Sequence, residues 1–172
     1  MHPSATHPAA ISGEKLLAEC EMRLLRRSGP GGQHRNKVET AVVLLHVPSG
    51  VSAEANERRS QAENRREALF RLRVNLALKV RGAAPLVAFP TSLWSSRRGN
   101  QGRIAVADEH DDFPALLAEA LDVIALCDDD VARAADTLGV TPSQLTKLLK
   151  KEPRALAQLN AHRRQRGLHP LR

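Results

Sequence analysis

The sequence predicts an α+β chain: a small antiparallel sheet that carries a glycine loop and is backed by one long helix, followed by a small all-helical module. Three observations predict it. Between Ala18 and Ala55, short runs of alternating or continuous apolar character are separated by Gly/Pro-rich breaks, as in strands joined by turns. From Ser60 the apolar residues recur at three- and four-residue spacing, which is helical. After Asp111 the chain reads as successive capped helices.

The chain has 172 residues, 42% of them apolar, enough for one ordinary core or two small ones. Aromatic residues are only 2%, so the core must be built mainly of Leu, Val and Ala. The formal charge is +7, which favours a polyanionic partner. Residues 1–82 carry 14 basic and 8 acidic side chains, residues 83–153 carry 7 and 11, and residues 154–172 carry 5 and none. The basic character therefore sits in the first half and at the C-terminal end, with an acidic block between them. Two widely separated cysteines, Cys20 and Cys127, suit neither a disulfide framework nor a zinc cluster. No apolar run approaches the roughly 18 residues of a membrane span, and the N-terminus lacks a targeting pattern. The expectation is a cytoplasmic protein with no membrane partner.

In chain order, residues 1–13 read as a disordered leader. Residues 14–82 form the first domain. Its first strand, Ala18 to Arg26, alternates Cys20, Met22 and Leu24 with Glu19, Glu21 and Arg23 and is expected to be half-buried. Ala41 to Val47 is continuous enough for a central strand. Pro48-Ser49-Gly50 makes a turn, and Val51 to Ala55 returns as a third strand. Ser60-Gln-Ala-Glu63 matches a capping box opening a long helix, with Leu69, Leu72, Leu76 and Val80 as the apolar stripe and Gly82 as its stop. Arg65, Arg66, Arg71, Arg73 and Lys79 cover the rest of that helix, a surface suited equally to solvent and to RNA.

Residues 83–110 read as a linker, with Trp94 anchoring it on a neighbouring domain. Residues 111–153 read as the helical module. Its first helix carries Phe113, Leu117, Leu121 and Ile124, with Pro114 in the first turn. Ala134-Ala135-x-x-Leu138-Gly139-Val140-x-x-x-x-Leu145 has the spacing of a helix-turn-helix, with Thr141 capping the next helix and Pro142 at its first position. Residues 154–172 close the chain as a basic helix or tail that includes Arg163, Arg164 and Arg166.

The segment that carries chemistry is Arg26-Arg27-Ser28-Gly29-Pro30-Gly31-Gly32-Gln33-His34-Arg35-Asn36-Lys37. Its glycines let the backbone take φ > 0 or approach a ligand with no Cβ between them. No nucleophile elbow, phosphate-binding loop or His-Glu-x-x-His site is present in the sequence, and nothing in it calls for a metal or cofactor. The carboxylates of Asp128-Asp129-Asp130 suit a helix N-terminus better than acid–base work. Gln33 is neither a strong base nor a nucleophile. Its backbone N–H, aimed at a developing oxyanion or a leaving oxygen, is worth roughly 3–4 kcal/mol. A loop so equipped must borrow the rest of its active site from its target.

The stretch Arg27 to His34, with Asn36-Lys37, the hairpin Ala41–Ala55 and the following Glu57-Arg58-Arg59-Ser60-Gln61-x-x-Asn64-Arg65, resembles the GGQ domain of class I peptide chain release factors. The resemblance covers about residues 16–82. It implies hydrolysis of the peptidyl-tRNA ester in the peptidyl transferase centre of the ribosome, with Gly31 and Gly32 letting the loop reach the tRNA end and Gln33 placing water and stabilising the transition state. It further implies contacts to large-subunit ribosomal RNA from Arg26, Arg27, Ser28, His34, Arg35, Asn36 and Lys37, and methylation of Gln33 by a glutamine methyltransferase. Arg35 departs from the family, which usually has a small apolar residue there. Residues 83–172 contain no recognisable stop-codon-reading counterpart. The chain is therefore similar to the short relatives that rescue stalled ribosomes, some of which place a basic tail in the mRNA channel. By that analogy Arg163, Arg164 and Arg166 are RNA-contact candidates.

Two other readings compete. The helix-turn-helix spacing suits a DNA-binding regulator, although residues 108–136 hold ten acidic side chains and one arginine, the wrong sign for a phosphate-facing surface. Lys147, Lys150 and Lys151 are the suitable cations there. The third reading is a ribosome-binding protein with a catalytically silent loop.

Overall fold

The computed structural model of the protein describes residues 6–25, 40–99 and 102–172. It is α+β. A short helix, α1 (Gly13–Ala18), leads into a three-stranded antiparallel sheet of β1 (Cys20–Leu25), β2 (Ala41–His46) and β3 (Val51–Ala55), in the order β1-β2-β3. The long helix α2 (Gln61–Lys79) crosses β2 and β3. Among the described residues five α-helices come after it: α3 (Ser92–Arg97), α4 (Phe113–Leu126), α5 (Val131–Leu138), α6 (Pro142–Leu149) and α7 (Pro153–Gln165).

The sheet forms because β2 is apolar on both faces and β3 supplies small residues opposite it. Val42 and Leu44 are fully buried and pair with Ala55 and Ala53. These alanines let α2 lie close, with Ala68, Leu72 and Leu76 fully buried on one helical row. Pro48-Ser49-Gly50 makes the β2–β3 turn, where Gly50 takes φ +68°. Ser60 caps α2 by accepting from the N–H of Glu63 at 3.5 Å, and α2 ends at Lys79, before Gly82.

Two expectations about this layer are corrected. β1 starts two residues later than expected, and its apolar side is not half-buried: Met22 is 48% and Leu24 is 36% exposed. The cause is reach, because α2 packs on β2 and β3 and leaves the outer strand uncovered. The apolar stripe on α2 is also wider than Leu69, Leu72, Leu76 and Val80. Val74, Ala77 and Leu78 are buried as well, because α4 packs on the other side of the helix.

Packing also crosses the boundaries expected between leader, domain, linker and helical module. Residues 6–13 fold onto the body. Ala9 is fully buried, and Arg73 Nε donates to its carbonyl at 3.0 Å. His7 accepts from the Ala9 N–H through Nδ1 at 3.0 Å, so its Nε2 carries the proton and donates to Val80 O at 3.1 Å.

Within residues 83–110, α3 is capped by Thr91. Trp94 on this helix is fully buried and donates from Nε1 to Leu138 O at 2.9 Å. α4 is buried at every position from Phe113 to Ile124, as a helix enclosed by neighbours must be, and only its last two residues, Ala125 and Leu126, are exposed. The buried residues of α2, α4, α5, α6 and the sheet belong to one continuous core.

α5 and α6 occupy the stretch with helix-turn-helix spacing. Asp130 caps α5 by accepting from Ala132 and Arg133 N–H, and Thr141 caps α6 by accepting from Gln144 N–H at 3.2 Å. Between them Gly139 sits at φ +64°, where a Cβ would come within 1.8 Å of the Arg98 guanidinium. The left-handed φ is what favours glycine there, since the exposed Arg98 side chain can move aside.

Candidate functional site

Residues 26–39 lie outside the described residues, and with them Arg26, Arg27, Ser28, Gly31, Gly32, Gln33, His34, Arg35, Asn36 and Lys37. The frame that carries this segment is described at both ends. Leu25, the last residue of β1, pairs with Ala41, the first of β2. The two roots of the loop are therefore held side by side at one end of the sheet.

Asn64 fastens the second root. It is fully buried in the first turn of α2. Its Nδ2 donates to Thr40 O at 2.7 Å and to Arg58 O at 3.0 Å, and its Oδ1 accepts from Arg58 N–H at 2.9 Å. Two carbonyls on the nitrogen and one N–H on the oxygen fix the orientation of the amide. One side chain thus joins the residue just before β2, the chain leading into α2, and α2 itself. The sequence presents Asn64 only as part of the Ser-Gln-x-x-Asn resemblance. Its task depends on a contact 24 residues away, which periodicity cannot reveal.

The same end of the sheet gathers positive charge. β3 ends at Ala55, paired with Val42 one residue into β2, and the chain then runs through Arg58 and Arg59 into α2. Arg58, Arg59, Arg65 and Arg66 are all exposed. The other arginines of α2 are structural. Arg71 Nη1 donates to Glu54 O at 2.9 Å and to Glu57 Oε1 at 2.8 Å, and this second hydrogen bond holds the Glu57 carboxyl below its ordinary range. Arg73 bonds Ala9 O and Asp111 O. The arginine face of the helix is divided, with its first two turns open and its middle tied down.

Part of the acidic block is used internally, while Asp108, Glu109, Asp111 and Asp136 are exposed. Glu119, buried in α4, accepts from Thr91 N–H at 2.8 Å and Thr91 Oγ1 at 2.6 Å, and burial pushes its carboxyl up. Asp122 accepts from Gly82 N–H at 3.0 Å. Asp128 and Asp129 close the α4–α5 corner at φ +58° and +61°, and Asp130 caps α5. The carboxylates of Glu119, Asp122 and Asp130 thus hold backbone in place.

The C-terminal arginines are placed differently from one another. Residues 153–165 form α7, anchored by buried Ala155 and Leu159. Arg163 reaches Asp129 O and donates from Nε to His169 O at 2.9 Å. Arg166 pairs with Asp128 at 3.2 Å and with Asp129 at 3.0 Å. Arg164 is exposed. Among the described residues no group of three or more His, Cys, Asp or Glu side chains could hold a metal ion. Cys20 and Cys127 are free thiols, and burial pushes the Cys20 thiol up.

Set against known proteins, residues 15–86 match the RF-1 domain. The chain is similar to Peptide chain release factor 1 of Acidiphilium cryptum (strain JF-5), with 43% identity over 82 residues, covering 46% of this chain and 23% of that protein. It is similar to Peptide chain release factor PrfB1, chloroplastic, of Arabidopsis thaliana, with 45% identity over 67 residues, covering 39% and 15%. Peptide chain release factor 1 of Chloroherpeton thalassium (strain ATCC 35110 / GB-78) shows 48% identity over 58 residues, covering 34% and 16%. The chain thus spans less than a quarter of the length of these curated relatives. No solved structure matches the chain. The likeness to these release factors thus rests on residues 15–86, the stretch that matches the RF-1 domain.

Proposed function

We propose that this protein hydrolyses the ester between nascent peptide and tRNA on the ribosome, and does so without reading a stop codon. The observation that carries this reading is the arrangement at the loop end of the sheet. A segment containing Gly31-Gly32-Gln33 springs from the paired residues Leu25 and Ala41. Its second root is held by buried Asn64, and exposed Arg58, Arg59, Arg65 and Arg66 stand at the same end. Gly31 and Gly32 bring bare backbone to the ester, and the Gln33 N–H stabilises charge on the reacting or leaving oxygen. The ribosomal RNA supplies the remainder of the site. The four arginines contact RNA phosphates, a sequence-independent interaction that orients the domain. Gln33 is a substrate for a glutamine methyltransferase, and the protein works in the cytoplasm on stalled ribosomes.

Release without a codon is supported by the packing of the chain beyond residue 86. α4 packs on α2, and α5 and α6 share its core, so residues 113–149 extend the RF-1 domain's own body. The test compares peptide release from ribosomes stalled on an mRNA lacking a stop codon with release from ribosomes paused at each stop codon. Rates that do not depend on the codon support the reading. Release confined to stop codons rejects it in favour of ordinary termination.

A further inference from the structure

We infer that the outer face of α6, together with Arg172, is a second RNA-binding surface that grips phosphate backbone; this rests on the ribosomal reading above. The face is set by helical spacing. Leu145, Leu148 and Leu149 point inward and are buried, which turns Ser143, Lys147 and Lys150 outward. A concavity of about 450 Å³ lies against this face, lined by Ser143, Gln144, Thr146, Lys147, Lys150 and Arg172, with no carboxylate side chain in its wall.

The cations nearby are sorted in a way that isolates this site. Lys151 is structural, since its Nζ donates to Val106 O at 2.7 Å. Arg154 is bound to Glu152 and to Asn75. Arg163 and Arg166 are held by the Asp128–Asp129 corner. Lys147 and Lys150 are exposed and have no ion pair among the described residues.

Arg172 arrives there by a built fold-back. Leu168 N–H donates to Arg163 O at 2.8 Å. The Asn160 amide then clamps Leu171, accepting its N–H at 2.7 Å and donating to its carbonyl at 3.0 Å. Leu171 packs half-buried against the core. The end of the chain is thereby turned back toward α6 and does not trail away from the body.

The chemistry of the wall names the ligand class. Lysine ammonium groups are compact charges suited to single phosphates, and hydroxyl and amide groups add donors to phosphate oxygens. No aromatic side chain lines the site, so bases have nothing to stack on. The surface therefore grips backbone, with little sequence preference. Of the acidic block, Glu119, Asp122 and Asp129 are buried, and the exposed Asp108, Glu109, Asp111, Asp128 and Asp136 do not line the concavity.

The test uses the full chain and its Lys147→Glu/Lys150→Glu double variant, with Lys147→Gln/Lys150→Gln as the milder pair. Affinity for purified ribosomes is measured across a potassium chloride series, with thermal midpoints checking the fold and wild-type peptide release measured alongside. The expected result is at least tenfold weaker binding at about 100 mM salt, and a log–log salt slope shallower by about 2, one for each lysine–phosphate pair removed. Unchanged affinity and slope, with wild-type release intact, overturn this surface and leave the hydrolase reading standing. A wild type that neither binds nor releases overturns the ribosomal reading and this inference with it. Duplex DNA binding in place of ribosome binding, abolished in the double variant, overturns the choice of RNA.

Discussion

The Nδ2 atom of Asn64 lies 2.7 Å from the carbonyl oxygen of Thr40, joining the first turn of the long helix to the root of the glycine loop. Asn64 is fully buried and its amide satisfies three backbone groups, so it cannot be replaced without leaving some of them unpaired. Asn64→Ala should cost about 1–3 kcal/mol of stability through buried groups left without partners. Its effect on function should be larger than its effect on folding. At temperatures where the variant remains folded, peptide release should fall by tenfold or more while ribosome affinity changes little. Stopped-flow release and equilibrium binding separate the two. Equal losses in both would mean that Asn64 only holds the fold together.

The single core predicts a single unfolding transition. Trp94 sits on α3 and bonds Leu138 at the end of α5, so its fluorescence reports the junction of the helical layer. Chemical denaturation followed by Trp94 fluorescence should coincide with that followed by far-ultraviolet circular dichroism. Two separated midpoints would indicate independent modules. Trp94→Phe should lower stability by about 1–3 kcal/mol by orphaning the Leu138 carbonyl, and Trp94→Ala by about 3–5 kcal/mol through the cavity it leaves.

The loop motif and several element boundaries are legible in the sequence because they are local. Gly31-Gly32-Gln33, the serine cap at Ser60, the glycine at 139 and the Thr141-Pro142 start of α6 all act over a few residues. The features that sequence reading misses are long-range. His7 reads as part of a disordered leader because its partner, the Val80 carbonyl, is 73 residues away. Met22 and Leu24 alternate correctly for a half-buried strand, yet nothing local states that the helix stops short of them. Arg163 and Arg166 look like free tail charges until Asp128 and Asp129 are brought beside them by the α4–α5 corner.

That corner changes how the tail should be tested. Deleting residues 154–172 would remove α7 and its buried Ala155 and Leu159, and would unfold part of the core. Point changes are cleaner. Arg164→Glu alters an exposed residue and should shift stability by less than about 0.5 kcal/mol. Arg166→Ala breaks pairs with Asp128 and with buried Asp129, and should destabilise measurably. Calorimetry of the two variants checks the ordering, and the reverse order would contradict the contacts of this corner.

Protonation supplies another test. Burial holds His7 below its ordinary value of 6.5, against the opposing pull of its bond to Val80 and of Asp122. The unfolded chain therefore takes up this proton more readily than the folded one. His7's contribution to stability is complete above pH 6.5 and declines as the pH falls below it. Glu119 works in the opposite sense: burial raises its carboxyl, so acidification from neutral pH toward 4.5 favours the folded state there. Comparing wild type with His7→Gln isolates the first effect. The wild-type advantage in melting temperature should narrow between about pH 7.5 and pH 5.5. An advantage that stays constant over that range would show that His7 titrates alike in the folded and unfolded chains.

Gln33 carries the central claim. The direct measurement is single-turnover peptide release from ribosomes stalled on an mRNA without a stop codon, comparing wild type with Gln33→Ala and Gly32→Ala at saturating protein. The expected result is release by wild type, and a loss on the order of 10²-fold or more in rate for either variant, the scale on which one oxyanion donor taken out of position slows a reaction. Wild-type binding to these ribosomes without release, or release undiminished in Gln33→Ala, would contradict it.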